Sequence, residues 1–231
     1  MLMLLPIVLA LATDPGPAAS SAPAPTPLTE IGRVRALPAC VPIVAHANGA
    51  ISQALDNDRT LAILSTNARN TDFDKLNSLQ RRNTIDAMLR QAEAIRIASS
   101  AGDAEVKKLR EYAAGASDPE RKAELKAFAD ALGGALYRQK KAAVEFMRDV
   151  TIMRGREDAA EAHDLMRQNN PVPPSVGAQS MANTPPILPG IPDSYNKQFK
   201  AIGDTLDTLA TGVQADEGLA ADHSIAATSG C

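Results

Sequence analysis

The placement of proline is the feature that most limits what this chain can fold into. Of 16 prolines, seven lie in residues 15–42 and seven in residues 171–192, with only Pro6 and Pro119 elsewhere. Proline has no backbone N–H, and its ring clashes with the preceding helical turn, so long helices must avoid both clusters. Between the clusters, alanine and leucine dominate the apolar side chains. Aromatic residues are 3% of the sequence and Trp is missing. Residues that favour strands are therefore scarce, and residues that lose little on entering a helix are plentiful. The expected fold class is all-α: a helical bundle of four to five helices, mostly antiparallel, with at least one long helix. A Pro-rich tether precedes the bundle and a Pro-rich linker precedes the last helix.

Apolar spacing predicts a first helix over 43–67, with Val44, Ala47, Ile51, Ala54, Leu55 and Ala62 on its inner face. Asn70, Thr71 and Asp72 offer turn and cap chemistry for a second helix over 73–100, which Gly102 is expected to end. A short helix over 103–114 then closes at Gly115. The plainest start signal is Ser117-Asp118-Pro119-Glu120, with a capping residue, Pro in the first turn and an acid three positions after Ser117. From there a long helix is expected to about residue 167. Its seam is Leu125, Ala129, Leu132, Leu136, Gln139, Ala143, Phe146, Val150 and Met153, with Gln139 the one polar member. Gly133-Gly134 interrupts it and reads as a kink, a helix end, or the close approach of another helix. Tyr195, Phe199, Ile202, Leu206, Leu209 and Val213 mark the last helix over 194–213. The expected map is an apolar N-terminal segment over 1–24, a Pro-rich linker over 25–42, the bundle over 43–170, an extended linker over 171–193, the last helix, and a frayed tail over 214–231.

The first twelve residues, MLMLLPIVLALA, form an apolar run that contains Ala10-Leu11-Ala12, a small-x-small pattern suited to signal peptidase. The run is shorter than the roughly 20 apolar residues that span a bilayer. A secretory signal is the expectation, although the first basic residue is Arg33 and the cleavage site stays open. The expected location is periplasmic or extracellular, with retention at the membrane by the apolar segment as the alternative. Cys40 and Cys231 are the only cysteines, and export favours their pairing as a disulfide. The loop-entropy model gives such a bridge about 5 kcal/mol, as an upper figure.

Catalytic signals are missing. The sequence has no glycine-rich phosphate loop, no H-E-x-x-H, no C-x-x-C-H and no G-x-S-x-G. No catalytic residue and no cofactor are assigned, and the expectation is not an enzyme. The formal net charge of −3 and the few aromatics argue against nucleic acid as a partner. One cluster has metal-ligand residue types: Glu157, Glu161, His163 and Asp164. Its three carboxylates share a helix face, but Glu161 and His163 are two apart and point to different sides, unlike the three-residue spacing of di-iron bundles. A solvated charged face is the simpler reading. The same holds for Arg138, Lys140, Lys141, Arg148, Arg154 and Arg156, which alternate with Glu145 and Asp149; an anion-binding patch is the alternative. Met147, Met153 and Met166 read as core filler. Leu76-Asn77-Ser78-Leu79-Gln80 resembles the L-T-x-x-Q motif of small periplasmic helical stress chaperones, with Asn in place of Thr, over too short a span to assign a family. The functional expectation is an exported, non-enzymatic protein that binds a protein or envelope component, or a second copy of itself, through helix surfaces. A transient membrane contact at the N-terminus belongs to the same reading. A small-ligand or metal carrier is the alternative, and an enzyme of unknown class is the third option.

Overall fold

The structure, a computed structural model, describes residues 26–31, 38–169 and 194–228. Four long helices account for nearly all of them: α1 (Val41–Asn70), α2 (Ser78–Gly115), α3 (Pro119–Asn169) and α4 (Tyr195–Ala227). Single 3-10 turns, Pro38–Cys40 and Phe73–Lys75, precede α1 and α2. Successive helices run antiparallel. Asn57 of α1 meets Ser99 of α2, Arg110 of α2 meets Asp130 of α3, and Arg138 of α3 meets Asp216 of α4. Ser65 of α1 reaches Gly203 of α4 and closes the ring. The molecule is thus an up-down-up-down four-helix bundle.

Helix starts follow local chemistry. Asn77 caps α2 by accepting from Gln80 N at 2.9 Å, while Gln80 Oε1 accepts from Asn77 N at 3.0 Å. This reciprocal capping box explains the Asn77-x-x-Gln80 pattern without any family relationship. It also moves the start of α2 past the Asn70–Asp72 turn that the sequence favoured. At α3, Asp118 Oδ1 accepts from Glu120 N, and Pro119 fills the first helical position.

Gly102 does not end a helix: α2 runs through it to Gly115. A Cβ built at Gly102 would lie 2.8 and 2.9 Å from the two methyls of Leu136, so this glycine admits a buried leucine of α3. Gly133-Gly134 is a close approach on both sides. A Cβ at Gly133 would meet Arg110 and Val106 of α2, and one at Gly134 would meet Asp216 of α4. No kink is needed to account for either. Past Val213, where the apolar pattern stops, α4 continues to Ala227. Gly218, Ala220, Ala221 and Ala227 are buried there, because small side chains let α4 lie close to its neighbours. The expected frayed tail is therefore helix through residue 227.

Two apolar clusters fill the interior. One joins Ile43, Ile51 and Ala54 to Leu125, Phe128, Leu132 and Ala227; the other joins Leu64, Phe73, Met88 and Ile95 to Phe146, Met153 and Phe199. Phe73 and Phe199 stack with centroids 3.8 Å apart, which ties the α1–α2 turn to the start of α4. Part of the expected N-terminal linker belongs to the first cluster. Leu28 is buried in it, and the Asn48 side chain holds the backbone of Ile31, accepting from its N–H at 2.7 Å and donating to its carbonyl at 2.9 Å. The apolar N-terminal run, the 171–193 linker and Cys231 lie outside the described residues. Among the described residues no helix is long and apolar enough to cross a membrane.

Candidate functional site

Between the two apolar clusters lies a polar layer to which all four helices contribute. Gln139 of α3, fully buried, is its centre. Its Nε2 has three acceptors: Ala54 O at 2.9 Å, Asp58 Oδ1 at 2.9 Å and Glu217 Oε1 at 3.2 Å. Its Oε1 accepts from Asn57 Nδ2 at 3.0 Å, and Asn57 Nδ2 also donates to Ser99 Oγ at 3.0 Å. An amide nitrogen carries two hydrogens, so one of its three acceptors is not served at a time. Burial pushes the Glu217 carboxyl up to about 9, and the hydrogen bond and charge of Asp58 and the charge of Asp216 push the same way. At neutral pH Glu217 therefore keeps its proton and donates it to Asp58. A buried acid beside a second carboxylate is the pattern that holds a proton where water would release it.

Asp58 lies at the edge of the layer and lines a cleft of about 230 Å³ between α1 and α4. Leu61, Ala62, Leu206 and Ala210 supply its apolar surface, and Asp207, Thr211 and Gln214 its polar surface. Asp207 is committed to Arg69 and Ser65. Of this constellation, the sequence showed only Gln139, as the polar break in the α3 seam. Asn57 falls in the inward stripe of α1 and was open to the same reasoning. Ser99, four residues after Ile95 in the stripe of α2, was open to it too, while Glu217 carried no signal because it lies beyond the apolar pattern of α4.

The proposed metal cluster has other commitments. Glu157 is 1% exposed and accepts from Arg81 Nε and Nη2, both at 3.0 Å, and from the Tyr195 hydroxyl at 2.7 Å. Burial raises Glu157, but hydrogen bonds from Arg81, Ser78 and Tyr195 outweigh it and hold the carboxyl low. Burial and the bond to Glu157 push Tyr195 up to about 12. Glu161 pairs with Arg82. The side chains of His163 and Asp164 lie outside the described set. Among the described residues, no group of three or more His, Cys, Asp or Glu is placed to hold a metal ion. His46 and His223 also face single carboxylates, Glu105 and Glu124, at 2.6 and 2.8 Å.

The α3 and α4 seams are covered within the chain: Leu125, Leu132, Leu136, Phe146, Val150 and Met153 face inward, as do Phe199, Leu206 and Val213. Most of the basic stretch is ion-paired. Arg138 meets Asp216, Arg148 meets Asp149, and Arg154 meets Asp86 and Asp158. Large apolar side chains are left outward on α3 at Tyr137, Val144, Ile152, Leu165 and Met166, and the first three form a narrow stripe. Tyr137, Val144 and Ile152 are 64%, 45% and 52% exposed, and Lys141 and Arg148 fall between them at helical spacing. Met166, expected as core filler, is also exposed. Comparison with known proteins finds no family model, no curated protein and no solved structure that matches this chain. The class that the fold defines is a four-helix bundle with a buried polar layer.

Proposed function

We propose that this protein is an exported, non-enzymatic helical binding protein that engages a protein or envelope partner through the outer face of α3. The observation that carries this reading is the Tyr137–Val144–Ile152 stripe. Large apolar side chains left outward in a bundle with a covered core are where a partner gains burial. Export follows from the N-terminal apolar run, and a Cys40–Cys231 disulfide belongs to the same proposal. Ala227, near the C-terminus, packs in the same cluster as Ile43, near Cys40, which supports that pairing.

A photo-crosslinking residue placed at Val144 in the host is expected to give one discrete adduct. The adduct should vanish with Tyr137→Asp and Ile152→Asp, and the same residue at the exposed Ala104 position of α2 should not form it. Identical adducts from both faces would remove the support for an α3 interface. The second reading, a small-ligand carrier, is favoured by the cleft between α1 and α4. Native mass spectrometry of protein from its own host is expected to show a bound small mass if that reading is right.

A further inference from the structure

We propose that the α1–α4 cleft binds a small primary ammonium ion, with its charge on Asp58 and its aliphatic body along Leu61 and Leu206. The inference rests on the carrier reading and is independent of the α3 interface. Charge is the first argument. The cleft has a carboxylate towards each end. Asp207 is neutralised by Arg69. Asp58 has no ion pair with a basic side chain among the described residues; its polar partners are Gln139 and Glu217. Glu217 is 7% exposed, and it reaches Asp58 as a neutral acid, so it supplies a hydrogen but no charge. The remaining charge near the pair, Asp216, is acidic and is itself held by Arg138. One negative charge is thus left at the mouth of a buried layer with no cation beside it.

Donor supply is the second argument. The residues that line the cleft offer acceptors but no basic side chain. An ammonium ion brings three donors and a positive charge. Asp58, the Thr211 hydroxyl and the Gln214 amide carbonyl all line the cleft that would receive it. Size is the third argument. A cavity of about 150 Å³ takes a molecule the size of benzene, so a cleft of about 230 Å³ admits a ligand of that size or somewhat larger. That suits a short alkylamine or diamine. A bare divalent cation fits poorly, because it seeks about six oxygens and the cleft wall between the carboxylates is leucine and alanine. A neutral ligand would leave Asp58 without a counter-ion.

The test is an amide-resolved NMR titration of the full chain near neutral pH with n-butylammonium chloride, against n-butanol, at fixed ionic strength. Saturable shifts are expected at Asp58, Leu61, Thr211 and Gln214, with a Kd on the order of a millimolar, and at least ~10-fold weaker binding of butanol. Asp58→Asn should lose at least ~10-fold in ammonium affinity. Glu217→Gln should keep it, because a carboxamide replaces a neutral acid as donor to Asp58. That variant keeps the test informative if Asp58→Asn fails to fold. Equal binding of butanol and butylammonium would overturn the ammonium proposal and leave the carrier reading standing. Unchanged ammonium affinity in a folded Asp58→Asn, or loss of it in a folded Glu217→Gln, would overturn it as well. The absence of saturable shifts from either probe up to about 50 mM would overturn it and count against the cleft as a carrier site.

Discussion

Glu217 keeps its proton because its carboxyl is buried, and because ionising it would place a second negative charge beside Asp58. Its carboxyl titrates at about 9 in the folded chain against an ordinary value of 4.5. The folded state therefore binds more protons than the unfolded state between those values. Stability from this group is fully present below 4.5 and is lost as pH rises towards 9. Glu217→Gln keeps the donor and removes the titration. The variant is expected to match the parent near pH 5 and to melt above it near pH 9, by about 2–4 °C for each kcal/mol recovered. Parallel melting curves over that range would show that the layer does not hold the proton on Glu217. Arg81 gives a contrasting case. Its guanidinium is the charge partner of buried Glu157, so Arg81→Met leaves an unpaired carboxylate and is expected to cost about 3 kcal/mol by urea denaturation.

At the scale of the element, glycines decide how closely the helices approach. A Cβ at Gly203 would sit 2.6 Å from Arg69 Cγ and 3.0 Å from Ser65 O, so α4 would have to move off α1. The Ser65 hydroxyl shares its one hydrogen between the Gly203 carbonyl, at 3.1 Å, and Asp207, and the same shift would pull both acceptors away. Alanine raises helix propensity by up to about 1 kcal/mol, but crowding in a packed interface costs about 1–3 kcal/mol. Gly203→Ala is therefore expected to lower the denaturation midpoint. Gly102→Ala should do so too, since Leu136 fills the space that its Cβ would need. A gain in stability from either change would mean that the helix spacing gives way at little cost. Both glycines show why a sequence pattern misjudges helix ends. Gly102 has the composition of a stop signal, and only the neighbouring leucine makes it a packing residue.

For the whole molecule, residues 26–28 and the end of α4 meet at one end of the bundle. Leu28, Ile43 and Ala227 share one cluster, and Thr26 Oγ1 donates to Asp222 at 2.8 Å. A bridge from Cys40 to Cys231 would fasten that end. Intact mass under non-reducing conditions is expected to show a chain shortened at its N-terminus, with thiols that label only after reduction. Reduction should lower stability by about 2–4 kcal/mol. Two labelled thiols in an uncleaved chain would remove both the bridge and the export proposal. The sequence revealed much of this scale: the helical class, the long α3 and its Asp118-Pro119 start were all legible. The exceptions are specific. The α4 extension to Ala227 was hidden because its buried residues are alanine, glycine and glutamate, which carry no apolar period.

What the sequence determined by itself was local. Proline kept helices out of two stretches, alanine and leucine filled the rest, and capping residues fixed where α3 begins; each acts within a turn or two of chain. What only the tertiary structure decided was which polar residues meet. Asn57, Asp58, Ser99, Gln139 and Glu217 lie on four helices, with as many as 82 residues between hydrogen-bonded partners. Their shared proton, the cleft beside them and the covering of both seams follow from the order and offset in which the helices pack. Those depend on side-chain contacts across the bundle, and no spacing along one helix records them.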